Sequence, residues 1–246
     1  KMDTLNNFIS NFISNFMSSN NPKEQNNEKK YEHLVFYDFE TTGLNPFYNK
    51  IIEYAFVKDK EPEDYISSLI DPETKFESKI TQITGIHPDD LNDKPTIKNK
   101  ISEILDYLVN EDTQTYLVAH NNDGFDKWFF KQILKEHSNI DFNTFKYIDT
   151  LILAKMLYPQ MRSFSMKSLC QKFNIDLSAH RAYNDTDALR QVYHSMCCDL
   201  SNIINIPKQE LIDIQILYIP LYMNNVNNVN NVNNVNNVNN VNNLII

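Results

Sequence analysis

Three short acidic segments constrain this chain more than any other feature of its sequence. They are Phe36–Leu44 (Phe-Tyr-Asp-Phe-Glu-Thr-Thr-Gly-Leu), Leu117–Asp126 (Leu-Val-Ala-His-Asn-Asn-Asp-Gly-Phe-Asp) and His180–Asp185 (His-Arg-Ala-Tyr-Asn-Asp). Each segment places a carboxylate at the end of an apolar run or on a predicted helix, where it can point into a shared cleft. Carboxylates gathered in one cleft repel one another unless cations lie between them. The pattern therefore predicts a fold that brings distant segments to one metal-binding point.

The first segment carries two carboxylates on one predicted strand, His33–Phe39. Asp38 and Glu40 are two residues apart, so the alternation of a strand places both on the same face. A solvent-facing acidic strand edge would show the same spacing. The apolar run Leu34–Tyr37 before them favours a central strand whose end opens into a cleft.

The other two segments add carboxylates and a histidine. Asp126 follows a predicted buried strand and begins a predicted helix, where an acidic residue can also serve the helix dipole alone. Asp185 falls in the first turn of the last long predicted helix, five residues after His180. An imidazole with a pKa near 6.5 suits proton transfer from water. Together these residues predict a two-metal site that cleaves phosphodiester bonds.

The three segments resemble, in order and spacing, the three motifs of the DEDDh family of 3′→5′ exonucleases. That family includes proofreading exonuclease subunits, ribonuclease T and the three-prime repair exonucleases. The resemblance covers residues 33–200 and extends to smaller matches at Ile83–Ile86, Asp149–Leu151 and Ser163–Leu169. It implies a ribonuclease H-like α/β fold, in which a mixed β-sheet is flanked by α-helices.

The same resemblance implies a role for each matching residue. Asp38, Glu40, Asp126 and Asp185 would bind two Mg²⁺ ions, with Mn²⁺ as a substitute, and His180 would be the general base with Glu40 also counted as catalytic. The implied substrate contacts are Thr41, Leu44, Thr84, His120 and Phe125. For His120, a packing role was equally compatible with its position at the end of a strand.

A related subclass replaces the histidine with a tyrosine four residues before the last aspartate. Tyr183 and Asp187 fit that spacing as well. The sequence His-Arg-Ala before them matches the histidine version at more positions, which favours His180 with Asp185.

The predicted activity is that of a hydrolase. We expect a 3′→5′ exonuclease that removes nucleoside 5′-monophosphates from a free 3′ end of DNA, preferably single-stranded, as in DNA repair. An exoribonuclease that trims RNA ends and a catalytically silent nucleic-acid-binding module are the alternatives. Nothing in the sequence identifies a contact with the 2′-hydroxyl group, so the choice between DNA and RNA stays open.

Hydrophobic periodicity predicts the elements of the sheet and its helices. The predicted strands are 33–39, 51–58, 65–70, 116–119 and 146–149. The predicted helices are 88–93, 97–109, 126–136, 150–157, 165–173 and 182–199. Strands in meander order followed by strands alternating with helices indicate one α/β layer fold.

The domain organisation follows from shifts in composition. We expect an N-terminal tail over 1–30, the exonuclease domain over 31–200, a C-terminal packing segment over 201–223 and a tail over 224–246. The N-terminal tail repeats apolar residues at helical intervals, which fits either an amphipathic docking helix or a slipped, partly ordered repeat. The last tail repeats Asn-Asn-Val, which predicts disorder, with self-association as the alternative.

Charge and cysteine content limit the environment of the chain. A net charge of −9 argues against whole-surface attraction to nucleic acid, although it leaves a metal-neutralised site open. The cysteines Cys170, Cys197 and Cys198 show no zinc-finger spacing, their number is odd and two of them are adjacent, which predicts free thiols in a reducing compartment. With neither a signal peptide nor a membrane span recognised, we expect an intracellular protein, cytoplasmic or nuclear.

Overall fold

A computed structural model describes residues 33–109, 113–177 and 181–204. Its centre is a mixed sheet in the order β3-β2-β1-β4-β5. The five strands are β1 (His33–Thr41), β2 (Ile51–Lys58), β3 (Tyr65–Leu69), β4 (Thr115–Ala119) and β5 (Lys146–Asp149). The meander β1-β2-β3 is antiparallel, whereas β4 and β5 run parallel to β1.

The helices of the described residues cover the two faces of this sheet. They are α1 (Ser78–Thr84), α2 (Ile97–Leu108), α3 (Asp126–His137), α4 (Thr150–Leu157), α5 (Met166–Phe173) and α6 (Ala182–Ile204). Local chemistry sets several of their ends. Asp149 caps α4 by accepting from the backbone N–H of Leu151, and Ser165 caps α5 by accepting from that of Ser168.

Both faces of the sheet are buried. Because successive strand residues point to opposite faces, the core consists of two clusters, one on each face. Leu34 and Phe36 of β1 face a cluster formed with α4, α5 and α6. Val35, Tyr37 and Phe39 face the opposite cluster, which α2 and α3 complete. Since Asp38 and Glu40 continue the series that begins with Leu34, they lie on the face that α6 covers. The packing of α6 across β1 and β2 therefore brings its first turn toward these carboxylates.

Phe130 on α3 is a sensitive test of this packing. It is fully buried, and its ring contacts those of Tyr37, Phe39, Phe56 and Phe145. We expect Phe130→Ala to lower the free energy of unfolding by about 3–5 kcal/mol, because it removes this ring and leaves a cavity. Urea unfolding would measure the loss, with Phe130→Leu as the milder matched change. Equal midpoints for wild type and Phe130→Ala would contradict the packing.

The predicted fold class is confirmed, and each predicted strand is present within two residues of its expected bounds. One helical prediction was wrong, and one helix was missed. The segment predicted as a helix over 88–93 is a 3-10 turn at Pro88–Leu91, and α1 was not predicted. In α1 the β-branched residues disfavour a helix, and Glu77 forms no side-chain cap, so local sequence carries little helical signal.

The last helix runs to Ile204, past its predicted end at residue 199. It thereby includes the first residues of the predicted packing segment 201–223. The remainder of that segment, the N-terminal tail 1–30 and the repeat tail 224–246 lie outside the described residues. None of the helices that the structure describes is both long and apolar enough to cross a membrane.

Candidate active site

The carboxyl-terminal half of β1 forms the floor of the site. β1 pairs with β2 along most of its length, but it pairs with β4 only over His33–Phe36. The edge of β1 that faces β4 is therefore open beside Asp38 and Glu40. Both carboxylates are partly buried at this point. The sheet thus presents two acidic side chains where one of its ladders ends.

Asp126 reaches this open edge from the start of α3. Its Oδ1 accepts a hydrogen bond of 3.2 Å from the backbone N–H of Phe39, the residue between Asp38 and Glu40. Asp126 is buried, and this burial raises its pKa well above the ordinary range; the nearby Asp38 raises it further. Backbone N–H groups, including that of Phe39, oppose the rise. Asp126 is therefore fixed against β1, in electrostatic contact with Asp38.

Asp185 approaches from the opposite side, on the first turn of α6. After burial itself, the charge of Asp185 is the largest cause that raises the pKa of Asp38, and it also raises that of Glu40. The structure thus brings together Asp38, Glu40, Asp126 and Asp185 from β1, α3 and α6.

Tyr183 and Asp187, the residues of the tyrosine alternative, make contacts outside the group of four carboxylates. The ring of Tyr183 lies 4.1 Å, centroid to centroid, from that of Tyr65 on the edge strand. Asp187 accepts hydrogen bonds from Arg190 and Gln191, also on α6. Neither Tyr183 nor Asp187 is among the groups that shift the pKa of Asp38 or Glu40. This arrangement favours Asp185 over Asp187 as the α6 residue of the site.

The chemistry of this donor set suits a hard divalent cation. Burial and mutual repulsion raise the pKa of Asp38 from 3.8 to about 7 and that of Glu40 from 4.5 to about 8. A cation between the carboxylates would relieve that repulsion, and carboxylate oxygens are the ligands that Mg²⁺ and Mn²⁺ prefer. Among the described residues, no three acidic, histidine or cysteine side chains are close enough to hold one ion as they stand. Binding would therefore require the carboxylates to rotate toward the ion.

The other predicted site residues lie in different settings. His180 lies outside the described residues. His120 is held at both ring nitrogens, with Nε2 2.8 Å from the carbonyl oxygen of Phe164 and Nδ1 3.0 Å from Oγ1 of Thr150. Its burial lowers its pKa. These contacts suit a residue that connects α4 to the loop between α4 and α5, which carries Phe164 and is called the Phe164 loop below.

Leu44 and Thr41 lie just beyond the two carboxylates of β1. Leu44 is 83% exposed, on a turn in which the side chains of Asn45 and Asn49 bind backbone N–H groups. Thr41 is buried and donates to the carbonyl oxygen of Gly43. The exposed apolar side chain of Leu44 therefore lies on a turn four residues beyond Glu40.

Thr84 and Phe125 are less available. The Thr84 hydroxyl closes the end of α1, where it donates to the Ile80 carbonyl and accepts from the Ile86 N–H. Thr84 also lines a cavity of about 660 Å³ with Arg181 and Lys94. The Phe125 ring packs against Phe129, with centroids 4.9 Å apart.

Three groups that support the site were not predicted, and the first two are Asp149 and Asn122. Asp149 accepts backbone hydrogen bonds from Asn121 and Asp123, which fixes the loop that leads to Asp126. Asn122 is fully buried and binds the Tyr37 hydroxyl and the carbonyl oxygens of Leu117 and Ile148. In the sequence, Asp149 and Asn122 are only polar residues at or just after the end of a predicted strand. Their hydrogen-bond partners in the structure reveal that they support the site.

Glu53 is the third unpredicted group. It lies on β2 directly opposite Glu40, it is buried, and it raises the pKa of both Asp38 and Glu40. A single acidic residue inside the apolar run Ile51–Val57 was the available signal.

The raised pKa values predict an unusual dependence of stability on pH. Between about pH 4 and pH 8 the folded, metal-free protein binds more protons at Asp38 and Glu40 than the unfolded chain does. The free energy of unfolding contributed by these groups therefore falls as the pH rises through this window. Mg²⁺ at 100 times its Kd should raise the free energy of unfolding by about 2.7 kcal/mol. Because a cation binds the deprotonated carboxylates, a fixed concentration of Mg²⁺ should stabilise the protein more at pH 8 than at pH 6.

Thermal unfolding with EDTA or with Mg²⁺, across that pH range, measures both effects. Asp38→Asn should flatten the pH dependence because it removes one of the titrating groups. A metal-free stability that rises steadily from pH 5 to pH 8 would contradict the assignment.

Comparison with known proteins identifies relatives of this chain. A family model described as exonuclease, RNase_T, matches residues 35–193. The PolC-type DNA polymerase III of Bacillus subtilis is 34% identical over 171 residues, which are 68% of this chain and 12% of that protein. The corresponding protein of Thermotoga petrophila is 37% identical over 163 residues, or 65% of this chain and 11% of that protein. The chain thus spans about an eighth or less of the length of these curated relatives.

Solved structures share the fold. The zinc-bound complex of Escherichia coli exonuclease I with single-stranded DNA matches with a TM-score of 0.63 and 18% identity, over 71% of this chain and 42% of that one. Exonuclease I of Methylocaldum szegediense matches with a TM-score of 0.60 and 20% identity, over 71% of this chain and 42% of that one. At this identity the likeness establishes the fold alone.

Proposed function

The chain belongs to the exonuclease family whose model spans its residues 35–193, and we propose that it acts as a metal-dependent 3′→5′ exonuclease. The substrate that we assign to it is DNA with a free 3′ end, preferably single-stranded. The products are nucleoside 5′-monophosphates.

One observation carries this proposal: carboxylates from β1, α3 and α6 converge at the open edge of β1. Asp126 binds the backbone between Asp38 and Glu40, and Asp185 acts electrostatically on both. Mutual repulsion among buried acids costs stability, so an arrangement of this kind serves a ligand of opposite charge. A structural ion pair would instead place basic residues among these acids.

The roles of the residues follow from their positions. Asp38, Glu40, Asp126 and Asp185 would hold Mg²⁺ or Mn²⁺, which, when bound, neutralise phosphate charge and lower the pKa of water. His180 would accept the proton of the attacking water. Leu44 would contact the terminal base from its exposed turn, while the backbone at Thr41 would meet the terminal nucleotide. Thr84 and Phe125 would line the path of the strand, and His120 would hold the Phe164 loop in place.

The choice of single-stranded DNA has two supports. Exonuclease I, a neighbour in fold, has been solved in complex with single-stranded DNA. A single strand also reaches a recessed carboxylate cluster more readily than a duplex, whose ends are held by base pairing. The proposal includes an intracellular location, which the free cysteines Cys170, Cys197 and Cys198 support.

Digestion of end-labelled oligonucleotides tests the proposal. With Mg²⁺, a 5′-labelled single strand should shorten into a ladder, whereas a 3′-labelled strand should release its label as a mononucleotide in the first step. EDTA should stop both reactions. Parallel digestion of duplex DNA and of RNA decides the substrate class. If the folded protein cleaves none of these with Mg²⁺ or Mn²⁺, the proposed function is wrong.

A further inference from the structure

Glu53 is a buried carboxylate for which the proposed reaction has no direct use. It is the one acidic residue of β2, only 4% exposed, and it lies opposite Glu40 in the ladder between β1 and β2. Residues paired across a ladder share a face, so Glu53 points to the side that α6 covers. A buried charge is unfavourable unless it is paired and hydrogen-bonded. Its partners therefore indicate what it does.

Both oxygen atoms of Glu53 bind the segment that begins α6. Oε1 accepts from Nε of Arg181 at 3.2 Å, and Oε2 accepts from the backbone N–H of Ala182 at 3.2 Å. Glu53 thus holds two consecutive residues, one by its side chain and one by its backbone. With each oxygen engaged in this way, Glu53 is poorly suited to serve as a cation ligand.

The segment that Glu53 holds carries one of the proposed metal ligands. The N–H of Asp185 donates to the carbonyl oxygen of Arg181 at 3.1 Å. Fixing Arg181 and Ala182 therefore fixes the turn that bears Asp185.

We propose that Glu53 is a positioning residue of the exonuclease reaction, which sets the place of Asp185 relative to the carboxylates of β1. It acts through Arg181 and Ala182 and does not contact the substrate. The inference rests on the proposed function. The competing explanation is that the Glu53–Arg181 pair contributes to folding alone.

Glu53→Gln separates these two explanations. Glutamine keeps the shape of the side chain, but its neutral amide cannot pair with Arg181 and accept from Ala182 as the carboxylate does. We expect kcat to fall by about 10²-fold, the effect of a small displacement of reacting groups, with KM changed by less than about threefold. Glu103→Gln is the matched control, because Glu103 is an exposed residue on α2. It should retain the wild-type kcat.

Two further measurements exclude a purely structural effect. The amide of Ala182 should exchange its hydrogen faster in Glu53→Gln, while the amides of the sheet keep their protection. The Mg²⁺ concentration that gives half-maximal activity should rise in Glu53→Gln, because the proposed metal ligand Asp185 is displaced. An unchanged Mg²⁺ dependence would overturn the proposal.

Every other outcome is also decisive. A Glu53→Gln protein with wild-type kcat and faster exchange at Ala182 would show that the contact exists but positions nothing. If Glu53→Gln does not fold, Arg181→Lys replaces it, since Arg181 is 65% exposed in its side chain and lysine keeps the charge without the Nε donor. The same shift in Mg²⁺ dependence is then expected, and its absence would overturn the proposal. Absence of hydrolysis by the wild type would refute the proposed function itself, before any variant is compared.

Discussion

Asp38→Asn should reduce metal-dependent hydrolysis by on the order of 10³-fold or more, the largest effect expected of any single change in this chain. Asp38 is the central member of the carboxylate group. It repels Asp185, and it raises the pKa of both Glu40 and Asp126. Asparagine has nearly the same shape, but its neutral amide is a weak ligand for a hard cation.

The same change should not weaken the fold. Removing one charge from a group of like charges relieves repulsion, so the metal-free variant should unfold at the same temperature as the wild type or higher at pH 8. Oligonucleotide digestion and thermal unfolding measure the two effects side by side. Asp106→Asn, an exposed substitution on α2, is the control and should be active. A variant at position 38 that keeps more than about a tenth of the activity would contradict the site.

His180→Ala should lower turnover by about 10²–10⁴-fold, the usual contribution of a general base. The protein should still bind single-stranded DNA, because the carboxylates and the exposed turn at Leu44 are unchanged. Binding measured in Ca²⁺ and turnover measured in Mg²⁺ separate the two effects.

Tyr183→Phe is the matched control for this experiment. The Tyr183 ring packs on Tyr65 at the edge of the sheet, and loss of its hydroxyl leaves that contact in place. Turnover should therefore be close to that of the wild type. A strong loss in Tyr183→Phe together with an active His180→Ala would move the chain to the tyrosine subclass.

The strands and the acidic motifs could be predicted because their signals are local. A run such as Leu34–Tyr37 predicts a buried strand from its own residues, and the spacing of Asp38 and Glu40 places both on one face. The helix α1 could not be predicted in this way, since its residues have low helical propensity. Its position depends on packing of Ile80 and on the turn that Thr84 closes.

The supporting residues of the site were inaccessible to sequence reasoning for a different reason. Glu53 pairs with Arg181, 128 positions away, and Asn122 binds the hydroxyl of Tyr37, 85 positions away. Within its own segment, Glu53 is an acidic residue in an apolar strand, a pattern that also fits an exposed edge. Only the packing of α6 across β2 identifies its partners.

The wide separation of the four carboxylates along the chain bears on biosynthesis. Asp38 is synthesised before Asp185, which is added only when α6 begins, and α6 in turn packs on β1 and β2. Contacts between such distant positions form late in folding. A nascent or truncated polypeptide that ends before α6 therefore lacks Asp185 and has an incomplete centre, so we expect it to be inactive until α6 has been synthesised and packed.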